Sequence, residues 1–129
     1  MPLNSEQLLS RFRGMGERLT AIEHLRQLGR LFDATVLIEV DGTEIYLTFD
    51  RGSITRIVQE MGRKIPWQFA FRVRAEALQR FWEPLPAPGY HDIFGLVKLG
   101  VARIDGDILL LVKNLRFFKE FLALGRTGS

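Results

Sequence analysis

Two histidines and several carboxylates are the side chains of this chain that could support acid–base chemistry. His91 stands directly before Asp92, a pair that matches a general base beside an orienting carboxylate. Adjacent residues rarely point at one another, however, and no nucleophile motif accompanies the pair. His24 stands in a segment with a helical pattern. We therefore predict that Asp92 caps a helix, that His91 is solvated and that the protein is not an enzyme.

The other polar residues form no recognisable chemical site. Carboxylates are common at strand ends and turns, where four of them are predicted to lie: Glu39, Asp41, Glu44 and Asp50. Two histidines without any cysteine provide no metal-ligand spacing and no thiol chemistry. Gly14 and Gly16 only faintly resemble a phosphate loop, because no strand precedes them and no Lys-Ser or Lys-Thr follows. We predict no metal and no cofactor, and expect the two glycines to interrupt a helix.

Composition limits the remaining classes of protein. The chain has 129 residues, of which 47% are hydrophobic and 26% are charged, which suits one domain that buries a core without disulfides. Its net charge of +3 comes from dispersed arginines and does not predict a nucleic-acid surface. The absence of cysteine and of a signal-peptide pattern predicts a cytoplasmic protein.

Segment 108–124, "ILLLVKNLRFFKEFLAL", is the most apolar part of the chain. It is too short and carries too many charges for a membrane span, which needs about 20 mostly apolar residues. Asp107 before it is a suitable N-cap, and Gly125 after it is a suitable stop. The segment is therefore predicted to form one amphipathic helix.

The apolar residues of this predicted helix fall on two stripes. The first stripe contains Leu111, Leu115, Phe118 and Leu122, and the second contains Leu110, Phe117, Phe121 and Leu124. Together they span an arc of roughly 200°, whereas a surface helix needs a stripe of about 100° for its core contact. The first stripe suffices to hold the helix on a sheet. The second stripe has three alternative roles: to line a cavity, to form a homodimer seam, or to contact the N-terminal helix.

The rest of the sequence predicts an α+β domain. Apolar residues recur every three to four positions over 4–32, which indicates one long or two short helices. They then recur at every second position, which indicates two hairpins with turns at "DG" and "DRGS". In "WQFAFRVR" apolar and polar residues alternate, so that one face carries Trp67, Phe69, Phe71 and Val73. On the other face Arg72 and Arg74 are expected to be solvated. Two short helices and a short strand precede the terminal helix. This order predicts a five-stranded, largely antiparallel sheet covered by helices on one face.

We predict a single domain over 1–129. It would consist of an N-terminal helical segment (1–32), the sheet with its covering helices (33–124) and a tail (125–129).

Four stretches resemble the sterol carrier protein type 2 family: "TVLIEVDG", "TEIYLTFDRG", "FAFRVRAEALQRF" and "GVARIDGDILLLVKNLRFFKEFL". The last is the most similar, because a short strand leads through Gly106 and Asp107 into the final helix. The resemblance covers 31–124. It implies a sheet and helices around an apolar cavity that holds fatty acyl chains, sterols or other lipids without chemistry.

The function that we predict is non-catalytic binding or carriage of a lipid-like ligand. An enzyme or a membrane surface could be the partner that receives this ligand. A long acyl chain is recognised mainly through buried area, so aliphatic and aromatic side chains would line the cavity. The predicted ligand contacts are Phe49, Trp67, Phe69, Phe71, Phe81, Leu110, Leu111, Leu115, Phe117, Phe118 and Phe121. The same residues could instead be filled core. The alternative function is a ligand-free accessory or dimerisation module whose C-terminal helix is a protein interface; nucleic acid is not an expected partner.

Overall fold

One mixed sheet and a set of helices on one of its faces make up the fold. The computed structural model describes residues 4–60 and 65–126, and within these it contains five strands and six helices. The strands are β1 (Ala34–Val40), β2 (Thr43–Asp50), β3 (Ser53–Gln59), β4 (Phe69–Val73) and β5 (Ala102–Gly106). The helices are α1 (Ser5–Ala21), α2 (Glu23–Leu28), α3 (Ala75–Phe81), α4 (Ile93–Lys98), α5 (Ile108–Lys113) and α6 (Leu115–Ala123). The predicted α+β class and order of elements are confirmed.

The strands lie in the order β3-β2-β1-β4-β5. Three of the four neighbouring pairs are antiparallel, and β1 pairs with β4 in parallel. Both predicted hairpins are present, and their two-residue turns have positive φ at Asp41 and Gly42 and at Arg51 and Gly52. Positive φ at both turn positions matches the right-handed twist of the strands. The prediction of a largely antiparallel sheet is confirmed.

The sheet has a covered inner face and an outer face of mixed character. Inward side chains such as Ile38, Leu47 and Phe71 join the helices in the main hydrophobic core. On the outer face a smaller apolar cluster contains Leu37, Tyr46 and Ala70, with Ile65 and Trp67 packed against it. The prediction that Trp67 shares a face with Phe69 is therefore wrong. Strand β4 begins only at Phe69, and the alternation of faces does not extend to a residue before the strand.

The N-terminal segment forms two helices, but the break lies elsewhere than expected. Asn4 and Gln7 form a capping box at the start of α1, which continues through both glycines to Ala21. Ile22 has an extended backbone and separates α1 from α2. Gly16 brings α1 close to the sheet, because a Cβ there would lie 3.4 Å from Ile54 of β3. The expected interruption at Gly14 and Gly16 is thus wrong.

The apolar C-terminal segment is also divided. The side chain of Asp107 accepts a hydrogen bond from the Leu110 amide and caps α5, as predicted. The single predicted helix is wrong, however, because Asn114 leaves the helical conformation between α5 and α6. Its side-chain amide donates to the Leu110 carbonyl at 3.0 Å, so the break satisfies a carbonyl that would otherwise lose its partner.

The predicted tail begins with two residues that are packed into the fold. Gly125 is buried, and a Cβ at this position would collide with the ring of Trp82. The Arg126 guanidinium donates to the carbonyls of Phe81 and His91, each at 2.8 Å. The remainder of the predicted tail, 127–129, lies outside the described residues.

Two glycines provide a matched test of how closely the helices are packed. A Cβ at Gly29 would collide with the ring of Phe117, whereas a Cβ at Gly14 has nothing within 4 Å. Gly29→Ala should therefore lower the free energy of unfolding by about 1–3 kcal/mol through overpacking. Gly14→Ala should raise it by about 0.5–1 kcal/mol, because alanine is favoured over glycine inside a helix. Urea denaturation of both variants measures the difference, and equal effects would contradict the packing described here.

Candidate functional site

Six phenylalanines form a continuous aromatic layer between the sheet and α6. They are Phe32, Phe49, Phe69, Phe117, Phe118 and Phe121, and we call them the phenylalanine cluster. Each is at most 2% exposed. Contacting rings have centroids 5.1–6.3 Å apart, and several pairs meet edge to face. Such geometry is the favourable one for phenyl rings.

The cluster explains how both apolar stripes of the C-terminal segment are buried. Phe118, of the first stripe, packs edge to face on Phe69 of β4. Phe117, of the second stripe, contacts Phe32, which precedes β1, and Phe49 of β2. Helix α2 also lies against α6. Among the three alternatives for the second stripe, the structure therefore shows contact with the N-terminal segment and with the sheet.

The predicted ligand contacts occupy three kinds of position. Five belong to the phenylalanine cluster, and three more are buried in the same core: Phe71, Phe81 and Leu111. Leu110 and Leu115 are partly buried against that core. Trp67 lies on the outer face. Contact of these residues with a ligand stays a prediction.

Phe32 is the central residue that sequence reasoning missed. It contacts Phe49, Phe69 and Phe117, as many rings of the cluster as Phe49 of β2 contacts. It lies between the helical and the strand pattern, so neither period identifies its direction. Its neighbour Leu31 is apolar as well but exposed, so hydrophobicity alone does not identify Phe32 as the buried residue.

The interior around the cluster is entirely apolar. None of the described residues is a buried polar or charged one, and no described buried side-chain nitrogen or oxygen lacks a partner. A molecule bound here could make apolar contacts with the surrounding side chains, but none of these side chains offers it a free hydrogen-bonding group. Only a hydrophobic ligand, or a hydrophobic part of one, would gain free energy by entering.

Several grooves on the surface are separate from this interior. Four grooves of about 110–510 Å³ lie on the described surface, and each is lined in part by charged side chains. None of these four is lined by a predicted ligand contact. The predicted apolar cavity between sheet and helices stays a prediction, and a ligand would have to separate side chains that are packed together here.

Helix α5 is held over this interior by a single fully buried side chain, as α2 is by Leu25. Leu111 is its one fully buried residue, and the helix lies against β4. Ile108, Leu109 and Val112 are 52%, 60% and 51% exposed. Three large apolar side chains on one short helix make a small exposed patch rather than isolated surface residues. We call these three residues the α5 patch.

Two of the residues considered for catalysis, His24 and Asp92, have structural partners. His24 Nε2 lies 2.6 Å from Glu120 Oε1 on the surface, and hydrogen bonds from His24 and Arg116 lower the pKa of Glu120. Asp92 caps α4 by accepting from two backbone amides, as predicted. Burial raises the pKa of Asp92, but these amides and Lys119 outweigh it and hold the pKa below its usual value.

Arg72 is the centre of an ion-pair network on the outer face. Its guanidinium pairs with Glu39 and with Asp105, at 2.7 Å from the latter, and lies over the ring of Trp67. Arg103 also pairs with Asp105. The expectation that Arg72 is simply solvated is therefore wrong. The hydrogen bond from Arg72 is the main cause that lowers the pKa of Asp105.

Comparison with known proteins identifies the fold. No protein-family model matches the chain, and no curated protein matches it significantly. Among solved structures, sterol carrier protein 2 superimposes with a TM-score of 0.72 at 14% identity over 93% of this chain and 96% of its own. A conserved hypothetical protein from Thermus thermophilus gives 0.71 at 13% over 91% and 85%, and the ubiquinone synthesis protein UbiJ-SCP2 gives 0.54 at 20% over 88% and 94%. The chain therefore has the sterol carrier protein 2 fold, as the sequence resemblance predicted.

None of the helices within 4–60 and 65–126 is both long enough and apolar enough to span a membrane.

The network around Arg72 predicts how stability responds to acid. Because Asp105 has a lowered pKa in the folded state, its ionised form stabilises the fold above the unfolded pKa, and this contribution is lost as the pH falls through the folded pKa. Arg72→Met should move the pKa of Asp105 upwards and make unfolding less dependent on acid pH. A carboxyl-carbon NMR titration measures the pKa. Arg80→Met, which removes an exposed pair with Glu76, is the control; an unchanged Asp105 pKa in Arg72→Met would contradict the assignment.

Proposed function

We propose that this chain binds a hydrophobic, lipid-like molecule between its sheet and its C-terminal helices, without catalysing a reaction. The observation that carries the proposal is the phenylalanine cluster, an interior with no buried polar side chain among the described residues. The fold supports it, because one of the proteins that superimposes on the chain is named as a sterol carrier. Two of the polar residues weighed for catalysis, Asp92 and His24, take part in a helix cap and a surface pair, which supports a binding role.

The chemistry of the interior defines the class of ligand. Each buried methylene contributes about 0.8 kcal/mol, so an acyl chain or a fused-ring skeleton can be retained by area alone. Six phenyl rings offer flat, rigid surfaces that can re-pack around such a molecule. The ligand would be selected by length and shape, and any polar head group would stay at the surface.

We infer that α5 is the element that moves to admit the ligand. It is linked to α6 through the non-helical Asn114 and is held by one buried residue, Leu111. It lies against β4, whose Phe69 belongs to the phenylalanine cluster. Outward displacement of α5 would therefore uncover that edge of the cluster while α6 stays in place. Short elements with few buried contacts are those that open most easily.

The α5 patch suits delivery of the ligand at a lipid surface. Its three apolar side chains are followed directly by Lys113, and Arg116 follows at the start of α6. An apolar face beside cationic side chains favours the interface of an anionic membrane. A patch on the opening element would bring the ligand exit and the membrane together. We place this transfer in the cytoplasm, which the absence of cysteine favours.

The alternative function, a ligand-free module that dimerises through the C-terminal helix, is less well supported. The apolar residues of α6 are buried by the chain itself, with Phe117 on Phe32 and Phe121 on Phe49. They are not free to form an interface between chains unless the fold is rearranged.

A fluorescent fatty-acid analogue tests the binding site. The purified chain should take up the analogue to saturation at one site, and native mass spectrometry should show one ligand per chain. Leu111→Ala should destabilise the fold by about 2–5 kcal/mol and accelerate uptake, because the contact that holds α5 is lost. Leu96→Ala, the same truncation in α4, is the control and should leave the uptake rate unchanged. The proposal fails if the wild-type chain takes up no analogue.

Transfer to vesicles tests the role of the α5 patch separately. A variant with serine at Ile108, Leu109 and Val112 should bind the analogue in solution as the wild type does, because these side chains are exposed. Its transfer of the analogue to phosphatidylglycerol vesicles should be slower by about tenfold or more, because the apolar contact with the bilayer is removed. Stopped-flow fluorescence measures the rate. Unchanged transfer would show that another surface meets the membrane.

A further inference from the structure

Strand β3 is an open edge of the sheet that has a helix beside it. It pairs with β2 on one side, and the order of strands places nothing on its other side. Among the hydrogen bonds of the described residues, none joins a backbone group of β3 to a partner beyond this edge. An edge strand of seven residues therefore presents free amides and carbonyls that can pair with another extended chain.

A groove of about 410 Å³ runs between this edge and α1. We call it the α1–β3 groove; its lining comes equally from the two elements and consists of Arg13, Gly16, Glu17, Thr20, Ile54, Thr55, Arg56 and Ile57. The four helical residues have the spacing of a single helix face. At the middle of that face Gly16 has no side chain, and a Cβ there would contact Ile54 at 3.4 Å, so α1 lies close over this part of β3.

We propose that the α1–β3 groove accepts an extended peptide segment of a protein partner, with alternating apolar and acidic residues, which adds to the sheet beside β3. A groove between an edge strand and a helix is the arrangement in which peptides bind by strand addition. The free backbone of β3 would supply the hydrogen bonds, and the groove would select the side chains. This site is independent of the apolar interior proposed for the ligand.

The two faces of β3 define the alternation. Ile54 and Ile57 pair with Phe49 and Leu47, which places both isoleucines on the inner face beneath α1. They are only partly buried, so an incoming strand can cover more of them. Arg56 pairs with Thr48 on the opposite face and is exposed. The register shift leaves Thr55 as an extra residue, so Thr55 and Arg56 both stand between the two isoleucines; the partner should place apolar residues over Ile54 and Ile57 and an acidic residue opposite Arg56.

Arg56 selects an acidic residue in the partner. Arg13 and Arg56 are exposed, and neither takes part in any ion pair between described residues. Arg13 and Glu17 balance each other on the α1 side of the groove, so the uncompensated charge of the lining is that of Arg56 on the outer face. A carboxylate opposite Arg56 would be a favourable cross-strand pair.

The same charge argues against a second copy of this chain as the occupant. Antiparallel pairing of β3 with itself would bring two Arg56 side chains to one seam, and like charges close together across a strand pair are unfavourable.

A synthetic peptide tests the proposal. The probe is a fluorescent peptide of alternating valine and glutamate, as long as β3, and its counterpart carries lysine in place of glutamate. Fluorescence anisotropy should show that the wild type binds the glutamate peptide at least about tenfold more tightly, and that Arg56→Glu reverses this preference. Arg30→Glu changes the net charge equally but lies outside the groove, and it should preserve the preference. Equal binding of both peptides, or binding of neither, would overturn the proposal.

A second variant tests the groove without relying on charge. Gly16→Leu should block the groove beside Ile54 and abolish peptide binding, whereas Gly14→Leu, on the same helix where a Cβ meets nothing within 4 Å, should still bind the peptide. In the wild type the bound peptide should slow hydrogen exchange of β3 amides. If Gly16→Leu still binds the peptide, the groove is not the site. If the wild type is a dimer in the absence of peptide and Gly16→Leu is a monomer, the occupant is a second copy of the chain and the proposal is wrong.

Discussion

The contact between Phe117 and Gly29 fixes the relation of three parts of the fold. The phenyl ring occupies the place where any side chain at residue 29 would lie, and it also contacts Phe32 and Phe49. Helix α6 can therefore approach the sheet only if the residue at the end of α2 has no side chain. The backbone of Gly29 in turn lies against Gly52, which joins β2 to β3 and whose amide donates to Phe32. One close approach thus positions the last helix, the N-terminal segment and a hairpin turn together.

The local sequence pattern was sufficient to predict the helices and strands of this fold. It was not sufficient to predict the residues that break or connect them. Alternation and helical spacing identified the strands, the caps at Asp92 and Asp107, and the burial of Phe118. The breaks at Ile22 and Asn114 escaped prediction, because neither residue is a strong breaker and the tertiary packing decides where a helix bends. Within the candidate site, the phenylalanines on regular elements could be predicted. Trp67 and Phe32 could not, since each stands just outside an element and its direction depends on contacts distant in sequence.

The two surfaces that we assign to binding lie on different parts of the sheet. The opening element α5 contacts β4, whereas the α1–β3 groove follows β3, with β2 and β1 between those strands. A hydrophobic ligand would separate side chains on the inner face, while a strand added at the edge would mainly extend the hydrogen-bond ladder. The Arg72 network stiffens the outer face over β1, β4 and β5. Occupation of one surface therefore does not obstruct the other.

The arginines of α1 connect the two ends of the described chain. Arg11 donates to the Gly125 carbonyl and Arg18 to the Leu124 carbonyl, so α1 supplies donors to the last carbonyls after α6, across separations of 114 and 106 residues. During synthesis α1 leaves the ribosome long before these acceptors exist, with Leu8, Phe12 and Met15 still lacking part of their cover. Contacts of such separation close slowly, because the intervening chain must be ordered first. The contacts of α1 with this end of the domain can therefore form only after α6 has been translated, which makes them a late step of folding.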